Sequence, residues 1–480
     1  MLKISSTLAS NFAVAGAGRL IGGVFAFGAT ALMARTLGPH NFGEYSIVMA
    51  FLYIFNAIAD FGLYSFLVRE ISKSDAQEKE LINQVLSLRM VILVVLLGLG
   101  VGAGMLLPYS DIVKKGLIVG AVSYFFLSSA QVLMGIFQKK LVLWQATLSE
   151  VIARAIQFTA VMSLFFYNIN NVLYFLIVLA GASCINFILV FVFASRHTQI
   201  RPAFSIPKWI NILKQSFPIA LSLIFTLIYF RLDTVLLSLF KTQQDVGIYN
   251  IAYKLLENII FYPSMLVGLL MPILSKTAIV DEEKFKSVFN SGIKIITISA
   301  IPMLFGGILL AHQIIYFLGG EAFQDAASPF RILIGATFFI FFGTILGSAT
   351  IALNKQREAI FIYFIAMLFN VVANIIFIPA YGYMATAITT LITEIIVTVG
   401  LGMLIFKKIT WPSGKFIIKA SLCSAVMAIP IIIWNETLHQ KTGLYALFFW
   451  LILSPIIYGG SLFLTGTITK KDLKLFLEKP

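Results

Sequence analysis

Apolar residues fill the chain in long runs, and short polar segments of a few residues separate one run from the next. Most runs reach the ~20 residues that an α-helix needs to cross the hydrocarbon core of a bilayer. They lack the alternation of apolar and polar positions that a transmembrane β-barrel requires. The pattern predicts fourteen helical spans, at 12–36, 44–69, 84–107, 115–137, 144–167, 172–195, 212–240, 246–275, 288–312, 328–353, 357–379, 383–406, 414–434 and 443–466.

The first polar interruption is ARTLGPHNFGEYS, residues 34–46. Glycine followed by proline is a strong signal for a turn, because glycine adopts left-handed backbone angles and proline cannot continue a helix. Gly38 and Pro39 therefore predict a turn between the first two spans.

Composition places the whole chain in a membrane. Its 480 residues are 59% hydrophobic and 12% charged, whereas soluble domains carry about 25% charged residues. Such a chain cannot cover its surface in water. Since lipid cannot satisfy backbone hydrogen bonds, the spans must be helices, and we expect an all-α integral membrane protein.

Basic residues are distributed unequally between the two sides of the predicted spans. Twenty Lys and Arg residues fall in the terminal segments and even-numbered loops, against four on the opposite side, Lys114, Lys115, Lys241 and Lys441. The positive-inside rule then places both termini in the cytoplasm. The net charge of +14 is spread over many short segments, which argues against a nucleic-acid-binding surface.

Two segments suggest an internal repeat. FGEYSIVMAFLY at 42–53 aligns with VGIYNIAYKLLE at 246–257, so that Gly43 matches Gly247 and Tyr45 matches Tyr249 with an offset of 204. A weaker pair is FQKKL at 137–141 and LNKQR at 353–357. We expect two parallel six-helix bundles, 1–200 and 205–408, followed by two further helices and a cytoplasmic tail in 409–480. Repeats of this kind place a solute site near the bilayer midplane and work by alternating access.

Several segments resemble the Wzx-type oligosaccharide flippases of the MOP (MATE-like) superfamily. They are ARTLGPHNFGEYS, DFGLYSFLVREISK at 60–73, FPIALSLIFTLIYFRLDTVLLSLF at 217–240, VGIYNIAYKLLE and IPAYGYMATAITTLITE at 378–394. The resemblance implies fourteen spans in two bundles. It also implies that an undecaprenyl-pyrophosphate-linked oligosaccharide is moved from the cytoplasmic to the outer leaflet of the bacterial inner membrane, for O-antigen, lipopolysaccharide or another surface polysaccharide.

The same resemblance implies a monomer without cofactor or metal, working beside a polysaccharide polymerase and chain-length machinery. Three alternatives stay open. A lipid II flippase has the same fold but usually carries a basic patch in its first span, where this chain has one mid-span charge, Arg19. A drug or small-solute exporter of the superfamily is the second. A membrane polymerase or ligase is the third, although the longest predicted outer loop, 313–327, has two acids and no basic residue.

Charged residues inside the spans are candidate site residues, because each costs at least about 2.5–3.5 kcal/mol near the bilayer centre and usually faces a cavity or a partner. Basic groups could line a hydrated cavity and bind the pyrophosphate through charge-assisted hydrogen bonds. The candidates are Arg19, Arg89, Arg154, Arg231, Lys254 and Lys294.

Membrane carboxylates are candidates for ion coupling, because the sequence has no phosphate-binding loop and an ion gradient is one available energy source. The candidates are Asp60, Glu150, Asp233 and Glu257. The structural alternative is pairing within one helix: Glu150 and Arg154 are four residues apart, and Lys254 and Glu257 three. Arg89 and Lys294 lie close enough to span ends to reach the interface.

Overall fold

The computed structural model describes the backbone of residues 2–73, 78–409, 411, 413–438 and 443–467. Side chains are described throughout these ranges except at 2–15, 17, 19, 73, 218–219, 221–230, 436–438 and 443–446. The described chain is built of α-helices: α1 Leu2–Asp60, α2 Leu63–Lys73, α3 Glu78–Leu106, α4 Asp111–Lys139, α5 Leu143–Phe166, α6 Val172–Ser195, α7 Ile206–Phe240, α8 Gln243–Val280, α9 Glu282–Leu309, α10 Ala311–Gly319, α11 Ala327–Ala352, α12 Gln356–Tyr381, α13 Tyr383–Ile405, α14 Gly414–Leu438 and α15 Gly443–Leu464.

The predicted membrane fold is confirmed. Twelve helical segments among the described residues are long and apolar enough to cross a bilayer. The first of them, Leu20–Ser72, includes most of predicted span one and all of predicted span two, and α7 covers the predicted seventh span. Short polar connections begin several helices by capping: the side chains of Ser110, Asn171 and Asp281 accept hydrogen bonds from the backbone N–H groups of α4, α6 and α9.

The predicted turn at Gly38 is a one-residue interruption of α1. Gly38 has φ 65° and ψ 176°, and helical backbone continues on both sides of it. Pro39 begins the second helical segment, where its missing N–H costs nothing.

Replacing Gly38 by alanine is expected to destabilise the protein by about 1–3 kcal/mol, because these backbone angles are essentially restricted to glycine. Thermal unfolding in detergent would measure the loss. Gly102→Ala is the matched control, since a Cβ there has nothing within 4 Å. Equal midpoints for the two variants would contradict the expectation.

Two predicted boundaries differ from the structure. The second span is not one helix over 44–69, because Phe61 and Gly62 take positive φ values of 44° and 68° and separate α1 from α2. The predicted outer loop 313–327 is mostly helical, with α10 followed by a 3₁₀ segment at Glu321–Ala326. Hydropathy did not predict the first feature, because the apolar run continues through Phe61 and Gly62. It placed 313–327 in a loop because glycines and acidic residues interrupt the apolar run there.

The chain forms two compact units, Met1–Asn250 and Ile251–Pro480. The core of the first includes Phe66, Leu86, Leu133, Phe137 and Val190, contributed by α2, α3, α4 and α6. The boundary between the units lies within α8, so α7 belongs to the first unit. This boundary reflects which helices pack together. It does not test the two homologous halves, 1–200 and 205–408, which stay a prediction from the sequence.

The second unit has its own core. Phe289 and Ile296 of α9, Phe341 and Ile345 of α11 and Leu401 of α13 are each at most 1% exposed and belong to one cluster. A smaller cluster packs α14 against α15 around Ile431 and Trp450.

Candidate functional site

A polar cavity of about 610 Å³ lies inside the first unit. Its polar lining comes from α1, α2, α4, α5 and α6, and consists of Tyr53, Asn56, Asp60, Tyr64, Ser65, Tyr124, Gln131, Glu150, Arg154, Gln157, Ser183 and Asn186. Polar lining on this scale within a membrane helix bundle marks a candidate site for a hydrated ligand.

Helical spacing explains how α1 and α5 contribute several polar groups each. On α1, Asn56 and Asp60 are three and seven residues after Tyr53, so all three lie on one face. On α5, Arg154 and Gln157 follow Glu150 by four and seven residues, so these three also lie on one face. Each helix therefore presents a polar stripe to the cavity.

Asp60 is held by a buried ion pair. Its Oδ1 lies 2.9 Å from Nη1 of Arg89, and Nη2 of Arg89 donates to Oγ of Ser128 at 2.5 Å. The side chain of Arg89 is 1% exposed and that of Asp60 is 17% exposed. Arg89 itself does not line the cavity, but it is buried and binds Asp60, which does. Its role as a substrate contact stays a prediction.

Arg154 is a basic residue in the lining of the cavity. Nη1 of Arg154 lies 3.4 Å from Oε1 of Gln157, and its side chain is half-buried. Over the described part of the chain no ion pair joins Arg154 to Glu150, although their spacing permits one. Both charged groups line the same cavity instead.

A second cation lies beside this cavity. The guanidinium of Arg231, on α7, is 5.1 Å from the ring centroid of Tyr53, which lines the cavity. Asp233, two residues further along α7, is 1% exposed. It accepts hydrogen bonds from the hydroxyl of Tyr249 at 2.5 Å and from the backbone N–H of Thr234 at 2.6 Å, so its oxygens are occupied within the protein.

Arg19 lies on α1, but its side chain is outside the described residues. The surrounding turn packs on α5. A Cβ at Gly18 would overlap with the side chain of Thr147, and one at Gly22 would lie 4.0 Å from Cγ of Arg154. This places the backbone near Arg19 against the helix that carries Glu150 and Arg154.

The remaining candidates belong to the second unit. Nζ of Lys254 lies 2.9 Å from Oε2 of Glu257, so these two form the pair within one helix that their spacing allowed. Nζ of Lys294 is 5.8 Å from the ring centroid of Phe416, and Lys294 is exposed.

Neutral polar residues of the cavity were not among the predicted site residues. Asn56, Gln131, Gln157 and Asn186 all line it. The available signal was the helical spacing of polar residues within otherwise apolar runs, as in Asn56 relative to Tyr53. A search restricted to charged residues omits this signal.

The second unit contains a cavity of different character, of about 370 Å³. Apolar side chains dominate its lining, among them Met303, Leu310, Phe330, Ile334 and Trp450, and it lies where α9 and α11 meet α14 and α15. Its lining suits an apolar ligand.

Two sequence families match the chain. The family described as Polysaccharide biosynthesis protein matches residues 8–278, more than half of the chain, and the family described as MatE matches residues 218–376.

Curated relatives match smaller parts. A probable low-salt glycan biosynthesis flippase of Haloferax volcanii is 24% identical over 172 residues, which are 36% of this chain and 36% of that protein. A probable flippase of the same organism is 25% identical over 169 residues, 34% of this chain and 35% of that protein. The matches thus span about a third of the length of these relatives.

Solved structures match almost the whole chain. A lipid II flippase MurJ in an inward closed conformation superposes with a TM-score of 0.77 at 17% identity, over 93% of this chain and 97% of that one. An inward-facing multidrug resistance transporter of the MATE family, MOP superfamily, has a TM-score of 0.61 at 14% identity, over 80% and 95% of the two chains. These likenesses show the fold.

Proposed function

Because the chain belongs to the polysaccharide biosynthesis protein family and has the fold of the MOP superfamily, we propose that it is a flippase for lipid-linked oligosaccharide. Its substrate is an undecaprenyl-pyrophosphate-linked oligosaccharide, moved from the cytoplasmic to the outer leaflet by alternating access. The observation that carries the proposal is the polar cavity of the first unit, with Arg154 in its wall and Arg231 beside it. The curated relatives named as flippases support the reaction type.

The pyrophosphate determines the chemistry that binding requires. A diphosphate presents several anionic oxygens, and a guanidinium binds two of them at once through parallel N–H donors. Arg154 and Arg231 supply this group at the cavity, and the proposed set of cationic contacts also keeps Arg19, Arg89, Lys254 and Lys294. Asn56, Gln131 and Asn186 offer amides to the sugar hydroxyls.

The carrier lipid requires an apolar surface. The 370 Å³ cavity of the second unit offers one, and each buried CH₂ group of an isoprenoid chain contributes about 0.8 kcal/mol.

The proposed cell biology follows the topology. We propose the bacterial inner membrane as its location, as the resemblance to Wzx-type flippases implies. The bias of Lys and Arg between loops supports both termini in the cytoplasm. We propose that it works as a monomer, and that polysaccharide polymerase and chain-length machinery act next on the translocated lipid. Since the relatives are flippases, we propose a transporter and not an enzyme.

Drug export is the strongest competing function, because the MATE structures share the fold. The two functions separate in proteoliposomes with an imposed proton gradient. We expect transfer of fluorescent undecaprenyl-pyrophosphate oligosaccharide between leaflets and no accumulation of ethidium above that in protein-free vesicles. Accumulation of ethidium without lipid transfer would overturn the proposal in favour of the exporter.

We propose that cavity carboxylates couple transport to an ion gradient, with Asp60 and Glu150 placed to do so because both line the cavity. Asp233 and Glu257 stay in the set as carboxylates already engaged with Tyr249 and Lys254.

Glu150→Gln is expected to lower the gradient-driven accumulation of lipid in one leaflet at least about tenfold, because an amide cannot exchange a proton. Downhill transfer without a gradient should persist. The measurement is the leaflet ratio at steady state with and without a proton gradient. A variant that accumulates lipid like wild type would exclude Glu150 from coupling.

A further inference from the structure

Two glycines bring backbone into direct contact at one end of the first unit. A Cβ added to Gly43 would overlap with the carbonyl oxygen of Gln243, and it would lie 3.1 Å from the amide nitrogen of Gly247. A Cβ added to Gly247 would overlap with the carbonyl oxygen of Pro39, and it would lie 3.1 Å from the amide nitrogen of Gly43. The start of α8 and the second segment of α1 therefore touch with no side chain between them, and only glycine permits this approach.

The contact is reciprocal, and the residues that form it are related by the same offset as the sequence repeat. Pro39 and Gln243 differ by 204 positions, and so do Gly43 and Gly247, which is the offset of the repeat. Each glycine meets the carbonyl four residues before the other glycine. Equivalent segments thus meet across a local pseudo-twofold axis. This geometry also points a Cα hydrogen of each glycine at the facing carbonyl, which is a weak favourable contact.

Neighbouring contacts close the same end of the unit. The hydroxyl of Ser110 donates to Oε1 of Glu44, the residue after Gly43, at 2.6 Å, and Glu44 is 2% exposed. The hydroxyl oxygens of Tyr109 and Ser238 lie 3.0 Å apart and join the α3–α4 connection to the end of α7. The residue next to Gly43 is therefore held to the α3–α4 connection, which also contacts the end of α7.

We propose that the paired-glycine contact of Pro39, Gly43, Gln243 and Gly247 is a latch between the two repeats, formed in one transport state and separated in another. This rests on the proposed alternating-access function. Backbone contacts without interdigitated side chains can separate and re-form without rotamer changes, which suits a contact that must open in every cycle. A methyl group at either glycine keeps the latch from closing.

The test uses spin labels at His40 and Gln244, which are exposed and also 204 positions apart. They are placed as His40→Cys and Gln244→Cys in a background with Cys184→Ala and Cys423→Ala. Pulsed electron–electron resonance on the full chain then measures their separation. We expect a short-distance population in the reference protein and, in Gly43→Ala, a fall of at least about tenfold in the ratio of short to long distances. Gly247→Ala should do the same by symmetry.

Gly98→Ala is the matched control, because a Cβ at Gly98 has nothing within 4 Å. It should leave the distances unchanged. The latch is overturned if Gly43→Ala and Gly247→Ala both keep the distance distribution of Gly98→Ala.

A second measurement tests the latch without changing either glycine, so it applies even if the alanine variants fail to fold. With both glycines intact, a short bis-methanethiosulfonate reagent would join His40→Cys to Gln244→Cys through two disulfides. This cross-link should stop lipid transfer until the disulfides are reduced. Transfer that continues in the cross-linked protein would also overturn the latch. The distance measurement needs no substrate, so a protein that moves no lipid but loses its short distance in Gly43→Ala would contradict the proposed function and leave the latch standing.

Discussion

Arg89→Met is expected to lower the free energy of unfolding by about 3–5 kcal/mol, the largest loss of stability that we predict. The substitution leaves the Asp60 carboxylate without its ion-pair partner and Ser128 without its donor. Methionine retains much of the volume of the arginine stem, so the lost charge and not a cavity dominates the change. Thermal unfolding in detergent should show a midpoint lower by roughly 6 °C or more.

A double variant separates the lost ion pair from other effects at this position. Asp60→Asn combined with Arg89→Met removes both charges and should recover most of the lost stability, because an absent buried pair costs far less than a broken one. Lys208→Met breaks an exposed pair with Glu80 and should leave the midpoint unchanged. If Arg89→Met unfolds at the same temperature as Lys208→Met, the account of Arg89 as the support of Asp60 is wrong.

Arg154→Gln is expected to slow lipid transfer by about ten- to a hundredfold, which corresponds to the loss of charge-assisted hydrogen bonds to one anionic group. Glutamine retains hydrogen-bond donors and loses the charge. Arg154→Lys should transfer lipid at an intermediate rate, because the charge remains while the planar pair of donors is lost. The measurement is the initial rate of leaflet exchange at equal amounts of folded protein.

Arg196→Gln is the control for Arg154→Gln. Arg196 follows the last residue of α6, and its guanidinium lies 5.4 Å from the ring centroid of Phe193, its own near neighbour in sequence. It lines no part of the polar cavity, so transfer should continue at the wild-type rate. A fall in Arg196→Gln as large as that in Arg154→Gln would indicate a general effect of net charge and not a site in the cavity.

Hydropathy predicted the membrane helices well, because the length of an apolar run is set by the thickness of the bilayer. The interruption at Gly38 was equally accessible, since glycine and proline report directly on backbone geometry. The break at Phe61 and Gly62 was not, because a lone glycine in an apolar run is also compatible with a continuous helix, and the positive φ of Phe61 has no signal in the sequence.

The candidate site was only partly predictable for a different reason. Asp60, Glu150 and Arg154 were recognised as unusual charges, and the structure brings them to one cavity. The sequence could not show that Arg89 forms an ion pair with Asp60, because the two residues are 29 positions apart and lie on different helices. Pairing across helices depends on tertiary packing, whereas the Lys254 and Glu257 pair depends on spacing in one helix and was foreseen.

Leaflet exchange of one lipid tests the central claim most directly. Vesicles would be made with undecaprenyl-pyrophosphate oligosaccharide that carries a fluorophore on its sugar, and an impermeant reductant would then bleach the outer leaflet. Without protein, the inner-leaflet label should stay protected. With the purified protein, the account predicts that this label is bleached too, at a rate that rises with the number of protein molecules per vesicle. If folded protein leaves the inner label protected, both with and without an ion gradient, the chain is not a flippase for this lipid.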